Sequence, residues 1–242
     1  MIRVDGLHKS FGDFKAVDGV SFTANDGTVT GLLGPNGAGK TTTLRMIYGL
    51  MRPDSGAIEI DGHNLVADPI GAQARLGVLP DLSGLYPRLT AREHIRYYGR
   101  LHGLTDAQLT PEIDKWIHLL DLREHADKRV AGFSHGERTK VALARALVHH
   151  PRNVLLDEPT NGLDVMSTRT VRELIRELRG QGKCVVFSSH VMQEVSALCD
   201  RIVIVSRGRV AAEGSPDELM AMSGKTSLED AFVALAGQEH FA

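Results

Sequence analysis

An α/β fold, with a mainly parallel sheet covered by helices on both faces, is what these 242 residues predict. Three observations lead to it. Near-continuous apolar runs at Val154-Leu155-Leu156, Cys184-Val185-Val186-Phe187 and Ile202-Val203-Ile204-Val205 alternate with helix-forming sequence, as parallel strands buried on both sides do. The first residues instead alternate apolar and polar, through Ile2-Arg3-Val4-Asp5 and again through Val20-Ser21-Phe22-Thr23, which marks an N-terminal antiparallel β portion. From about Thr90 to His149 helical patterns dominate, which marks an inserted helical lobe.

Taken in order, Asp26-Gly27 supplies a turn before the strand Thr28-Val29-Thr30-Gly31-Leu32-Leu33. A glycine-rich loop follows, and Leu44, Ile47 and Leu50 then carry a helix from Lys40 to Leu50 that ends near Gly49. Pro53-Asp54-Ser55-Gly56 is a turn, Ala57-Ile58-Glu59-Ile60 a strand, Asp61-Gly62 a turn, and Leu76-Gly77-Val78-Leu79 a short strand stopped by Pro80. In the lobe, Thr90-Ala91-Arg92-Glu93 reads as a capping box, and Trp116, Leu119, Leu120 and Leu122 as one apolar face. Val171, Leu174, Ile175 and Leu178 mark the helix between the strands at 154 and 184. The sequence reads as a single domain over 1–242, with 1–84 and 150–214 as its core, 85–149 as the helical subdomain and 215–242 as a C-terminal helical extension.

Composition narrows the function classes. Hydrophobic residues make up 42% and charged residues 24%, which excludes disordered and fibrous chains. Lys+Arg 28 against Asp+Glu 30 leaves a net charge of -2, so no bulk attraction to nucleic acid is expected. Two cysteines, Cys184 and Cys199, and a start without a basic-then-apolar leader point to a reducing cytoplasm. The apolar runs fall far short of the roughly 20 residues that span a bilayer, so any membrane link is expected through a partner.

The chemistry is carried first by Gly34-Pro35-Asn36-Gly37-Ala38-Gly39-Lys40-Thr41, which satisfies G-x-x-x-x-G-K-[ST] between a predicted strand and a predicted helix, with Thr42 next in the helix. Glycines let backbone N–H groups converge on phosphate oxygens, and the helix N-terminus adds its positive end. Lys40 supplies a mobile cation and the Thr41 hydroxyl a ligand for Mg²⁺. Further on, Val154-Leu155-Leu156-Asp157-Glu158 places two acids at the carboxyl edge of a buried strand, where open α/β sheets bind ligands. Asp157 suits Mg²⁺ held through water. Glu158 suits a general base toward an attacking water, since phosphoryl transfer to water needs positioning and a proton acceptor. The bland alternative is a pair of cap carboxylates before Pro159.

Three further segments carry a family resemblance. Phe133-Ser134-His135-Gly136-Glu137 and the helix it opens resemble the signature sequence of ABC-type ATPases, Asn161-Gly162-Leu163-Asp164 resembles their D-loop, and His190 after Ser188-Ser189 resembles their switch histidine. With the phosphate loop and the Asp157-Glu158 pair, the likeness covers nearly the whole chain. It implies a RecA-like P-loop NTPase core and ATP with Mg²⁺ as cofactors. It also implies a head-to-tail homodimer in which each ATP lies between the phosphate loop of one chain and Ser134, Gly136 and Asp164 of the other. Ser134 offers a hydroxyl and Gly136 close backbone approach, and an ordinary N-cap role for Ser134 is compatible with both. By the same resemblance Phe11 stacks on adenine with Val17 as an apolar neighbour, while core packing is the alternative for Phe11. His190 contacts the γ-phosphate and orders the surroundings of the attacking water.

Two departures from the family pattern stand out. Asp81 occupies the place of a glutamine that contributes to the metal site, and it still offers an oxygen for that role. His135 and Glu137 stand where glycine and glutamine are commoner. Within the family, Gly77-Val78-Leu79-Pro80-Asp81, the stretch from Gly84 to Glu93 and Ser227-Leu228-Glu229-Asp230-Ala231-Phe232 resemble the NatA-type sodium exporters and their antibiotic-export relatives. That implies a peripheral subunit on the cytoplasmic face of the membrane, driving a separate NatB-like permease that exports Na⁺ or, as the alternative, a drug or other solute. Leu85 to Tyr98 would be the coupling surface, with Tyr86, Tyr97 and Tyr98 either exposed to the permease or packed inside the lobe. Two rival readings are a soluble ABC ATPase acting on ribosomes or DNA, and a nonhydrolytic nucleotide-binding regulatory subunit, which Glu158 and His190 disfavour.

Overall fold

The computed structural model describes residues 1–81 and 84–237. Two strands open the chain, β1 (Ile2–Phe11) and β2 (Phe14–Ala24), paired antiparallel from Ile2↔Ala24 to Phe11↔Phe14. β4 (Ser55–Ile60) and β5 (His63–Asn64) complete an antiparallel sheet of order β2-β1-β4-β5, with β3 (Val29–Leu33) and α1 (Lys40–Ile47) intervening in sequence. β6 (Leu76–Leu79), β7 (Asn153–Asp157), β8 (Cys184–Ser189), β9 (Arg201–Ser206) and β10 (Arg209–Gly214) join β3 in a second sheet of order β10-β9-β3-β8-β7-β6. Within it the neighbours from β9 to β6 run parallel, and β10 closes the edge antiparallel. This is the α/β architecture expected, although β10, which forms a hairpin over Arg207-Gly208, was not among the elements foreseen.

Strand alternation explains why the parallel strands read as continuous apolar runs. Val29 and Leu33 of β3, Val154 and Leu156 of β7, Val185 and Phe187 of β8, and Ile202 and Ile204 of β9 enter one core cluster. Their neighbours Leu32, Leu155, Val186, Val203 and Val205 point the other way into a second cluster with α1 and the antiparallel sheet. Both faces are therefore dry. The first cluster continues into the helices α3 (Ala91–Leu101), α4 (Asp106–Leu119) and α5 (His135–Leu147), and is covered further by α6 (Val165–Gly180) and α7 (Met192–Leu198). Alongside them lie α2 (Pro69–Gln73), α8 (Pro216–Ser223) and α9 (Leu228–Gly237). Residues 238–242 of the expected C-terminal extension lie outside the described residues.

The helix starts are chemically defined. Thr90 accepts from the Glu93 N–H while the Glu93 carboxylate takes the Thr90 N–H at 2.8 Å, the capping box read from sequence. Ser134 and Glu137 do the same for α5, and Asp164 caps α6 by accepting from Ser167 N–H at 2.8 Å. Two expectations need correction. The α1 helix ends near Gly49 as read, with Tyr48 as its C-cap and Gly49 at φ +76° turning the chain, but Leu50 is not part of its apolar face and projects outward, 71% exposed. Leu119 is also outside the apolar face assigned to it. The buried stripe of α4 runs through Leu109, Ile113, Trp116, Ile117 and Leu120, and at 3.6 residues per turn Leu119 lies roughly 100° from its centre. Among the described residues no helix is long and apolar enough to cross a membrane.

Candidate active site

The strand β3 delivers the chain to Gly34, and the loop from Pro35 to Gly39 folds back so that α1 begins at Lys40. Two glycines are dictated by geometry. A Cβ on Gly34 would stand 2.2 Å from the Val205 carbonyl oxygen, and Gly39 takes φ +104°, where a Cβ would meet the Ala16 carbonyl at 2.5 Å. The loop therefore wedges between β2 and β9 and opens at the N-terminus of α1, where helix geometry leaves backbone N–H groups to face a ligand. The Lys40 side chain curls back along this loop, its Nζ donating to Gly34 O at 2.7 Å and Pro35 O at 3.2 Å.

β7 brings Asp157 and Glu158 to the same edge. Asp157 is 2% exposed, and its Oδ1 accepts from Ser188 Oγ at 2.6 Å and from Thr41 Oγ1 at 3.1 Å. Its Oδ2 is buried without a partner. Burial drives the Asp157 carboxyl above the usual carboxylate range, opposed by the Ser188 and Thr41 hydroxyls and reinforced by the nearby charges of Asp81 and Glu158. An unpaired, desolvated carboxylate oxygen beside a threonine hydroxyl is the donor set that a hard divalent cation such as Mg²⁺ takes, so the residues fit the metal.

Glu158 holds φ +48°, a left-handed conformation that β-strand geometry does not supply, and its N–H donates to Ser188 Oγ at 2.9 Å. The resulting turn aims the carboxylate into the cleft. There Oε1 is 3.5 Å from Lys40 Nζ and Oε2 is 2.9 Å from His190 Nδ1. His190 follows β8, and Ser189 Oγ braces its loop by accepting from Val191 N–H at 3.0 Å and donating to the buried Glu194 at 3.3 Å.

Lys40, Glu158 and His190 line one cleft of about 340 Å³ that also takes in Phe11, Phe14, Ala16, Asn36, Gly37, Ala38, Gly39, Thr41, Thr42, Asp81 and Asn161, with Asp157 buried beside it on Thr41. Phe11, 50% exposed, and its cross-strand partner Phe14 form the apolar end of it. Val17 does not. Alternation along β2 turns Val17 into the core, while Phe14 and Ala16 share the face toward the cleft. Ser134, Gly136 and Asp164 are not in the cleft of their own chain. Ser134 and Asp164 lie exposed as N-caps of α5 and α6, and a Cβ on Gly136 would stand 3.1 Å from Ser167 Oγ. Reasoning from sequence missed Phe14 and Ala16, and named Asn161 and Ser188 only as parts of the D-loop and switch segments without a role in the cleft. Ser188 had a signal, as a polar residue ending a buried apolar run, and the structure pairs it directly with Asp157 across β7 and β8.

The sequence pattern of the ABC transporter family matches residues 17–161. The chain belongs to the ABC transporter family. It is an ABC-type ATPase, and ATP is its nucleotide. Over 239 residues it is 43% identical to the ABC transporter ATP-binding protein NatA of Bacillus subtilis (strain 168), covering 97% of each chain. It is 40% identical over 237 residues to the daunorubicin resistance ATP-binding protein DrrA3 of Streptomyces coeruleorubidus, covering 98% of this chain and 75% of that one. A solved ATP-binding subunit of an ABC transporter superposes with a TM-score of 0.91 at 30% identity, covering 97% of this chain and 99% of that one. This ABC ATPase carries the elements of its family on the sheet topology described above.

Proposed function

We propose that this ABC ATPase energises an exporter, closing head to tail with a second copy on two ATP molecules and passing that closure to a separate membrane permease. The observation that carries the reading is a division of labour. Lys40, Glu158 and His190 line one cleft with Asp157 buried beside it on Thr41, whereas Ser134 and Asp164 are exposed at two helix N-termini, with Gly136 packed behind them against Ser167, and none of the three lines that cleft. Two such half-sites are complementary. Each ATP would lie on the phosphate loop from Gly34 to Thr42 of one chain and under the Ser134 hydroxyl and α5 N-terminus of the other.

In that arrangement Phe11 and Phe14 stack on adenine, and Lys40 leaves its loop carbonyls for the β- and γ-phosphates. Glu158 takes a proton from the attacking water, and His190, hydrogen-bonded to it, holds the carboxylate oriented toward that water. Thr41, Asp157 and Asp81 would hold Mg²⁺, which when bound offsets the charge of the phosphate oxygens. Loss of the γ-phosphate removes the contact to Ser134 and lets the copies part.

The permease would seat on the helical side of the molecule. There Tyr86 and Tyr97 are 50% and 43% exposed, and a groove of about 390 Å³ runs past Tyr48, Leu50, Val78, Tyr98, His102 and His149. Tyr98 is partly buried under the Arg145 guanidinium, 4.7 Å from its ring. Na⁺ leaving through a NatB-like permease, from the cytoplasmic face, is the reading supported by 43% identity to NatA over nearly the whole chain. Export of a drug is the second reading, supported by the likeness to DrrA3. The test is to express tagged Glu158→Gln chain in its native host, solubilise membranes with ATP present and identify what co-purifies. A polytopic membrane protein in comparable amount is expected. Ribosomal or DNA-bound partners with nothing integral to the membrane would overturn the exporter reading.

A further inference from the structure

His135 occupies a signature position where glycine is commoner, and its side chain makes a contact that glycine has no atom to make. Its Nε2 lies 2.9 Å from the backbone oxygen of Asn161. A carbonyl only accepts, so Nε2 carries the hydrogen in either protonation state of the ring. The imidazole also lies against Gly162, where a Cβ would stand 3.4 Å from His135 Cδ2. Asn161 in turn donates its N–H to the Glu158 carbonyl at 3.1 Å, and Asn161 lines the cleft that holds the Glu158 carboxylate. His135 itself follows Ser134, the N-cap of α5.

We propose that His135 is a positioning residue that couples the two ATP sites of the dimer, by tying the turn that meets the partner's nucleotide to the loop that sets Glu158 in its own chain. The inference rests on the head-to-tail reading above. The route is short and made of hydrogen bonds: Ser134 at the partner's γ-phosphate, His135 Nε2–H to Asn161 O, and Asn161 N–H to Glu158 O. When the partner's ATP draws the Ser134 turn inward, the His135 bond carries Asn161 with it and fixes the Glu158 turn, already held at φ +48°. Filling one site thus prepares hydrolysis in the other. A coupling of this kind shows as cooperativity whose Hill coefficient is bounded by the number of sites.

Three proteins test it in steady-state ATPase titrations: wild type, His135→Phe, which keeps a ring against Gly162 without the donor, and His135→Gln, which keeps a donor near the Nε2 position. Wild type and His135→Gln are expected to give Hill coefficients near the two-site limit of about 2, and His135→Phe a value of about 1 with a lower kcat. A Hill coefficient unchanged in His135→Phe, a non-cooperative wild type, or equal loss in both variants would overturn the proposal. Sedimentation of the Glu158→Gln chain with ATP separates the two levels. If no dimer forms, the head-to-tail reading falls and the coupling with it. If the dimer forms and the Hill coefficient ignores His135, the coupling alone falls.

Discussion

Lys40 Nζ lies 3.5 Å from Glu158 Oε1, so the cation of the phosphate loop and the carboxylate proposed as general base are paired across the cleft, 5% and 13% exposed respectively. Without nucleotide each neutralises the other, while Lys40 also donates to Gly34 and Pro35 carbonyls. The terminal phosphates of ATP compete for the same cation. In the proposed reaction their arrival would draw Lys40 away from Glu158, leaving His190 hydrogen-bonded to the carboxylate.

Replacing Glu158 by Gln should therefore separate binding from chemistry. Phosphate release is expected to fall about 10²–10⁴-fold, the range of a lost general base. Fluorescent-ATP affinity should hold or rise, because Lys40 loses its competing carboxylate. A parallel loss of affinity would show that Glu158 holds the nucleotide instead.

Lys40→Ala should act on binding. A charge-assisted contact of about 1.5–3 kcal/mol is removed, on the order of 10–100-fold in Kd. Calorimetric titration with ATP checks it, and an unchanged Kd would place the phosphates elsewhere.

The orphaned Oδ2 of Asp157 makes a stability prediction with a defined sign. Burial raises this carboxyl above its ordinary 3.8, so the folded state disfavours the anion. The group's contribution is most favourable below the ordinary carboxylate range and is lost as pH rises through the raised value. Asp157→Asn should thus raise Tm in metal-free buffer at pH 7, by about 2–4 °C for each kcal/mol recovered. The gain should shrink toward pH 4. The same variant should lose most of the Tm increase that Mg²⁺ with ATP gives wild type.

His149 gives the opposite window. Burial, with the stacked His102 ring 3.5 Å away, lowers it from 6.5 to about 4, and its Nε2–H donates to Leu76 O at 3.0 Å. A histidine held neutral contributes stability that is present above 6.5 and lost as pH falls toward 4, on the order of 2 kcal/mol after discounting for solvent screening. Urea midpoints between pH 7 and 4.5 should fall more steeply in wild type than in His149→Gln, which keeps the donor and does not titrate.

Local sequence made the chemistry legible where a function is written in consecutive residues. Gly34 to Thr41 announced a phosphate loop and Leu155 to Glu158 a strand edge, and the capping box at Thr90 and the N-cap at Ser134 stood in the sequence as they stand in the fold. What escaped depends on pairing across the chain. Whether Val17 or Ala16 faces the cleft is decided by the register of β1 on β2, and Ser188 reaches Asp157 only because β8 lies beside β7. His135 was legible as an odd residue in its motif, but its partner, Asn161, is brought to it by the packing of α5 beside the loop after β7.

The central claim is that ATP is held between two copies. Light scattering on size exclusion of the Glu158→Gln chain with saturating ATP and Mg²⁺ tests it most directly, with the same chain carrying Ser134→Arg as the control. The expected result is a mass twice the 26.3 kDa of the chain, reverting to 26.3 kDa in the control while the control still binds ATP. A Glu158→Gln chain that binds ATP and elutes at 26.3 kDa would contradict the claim.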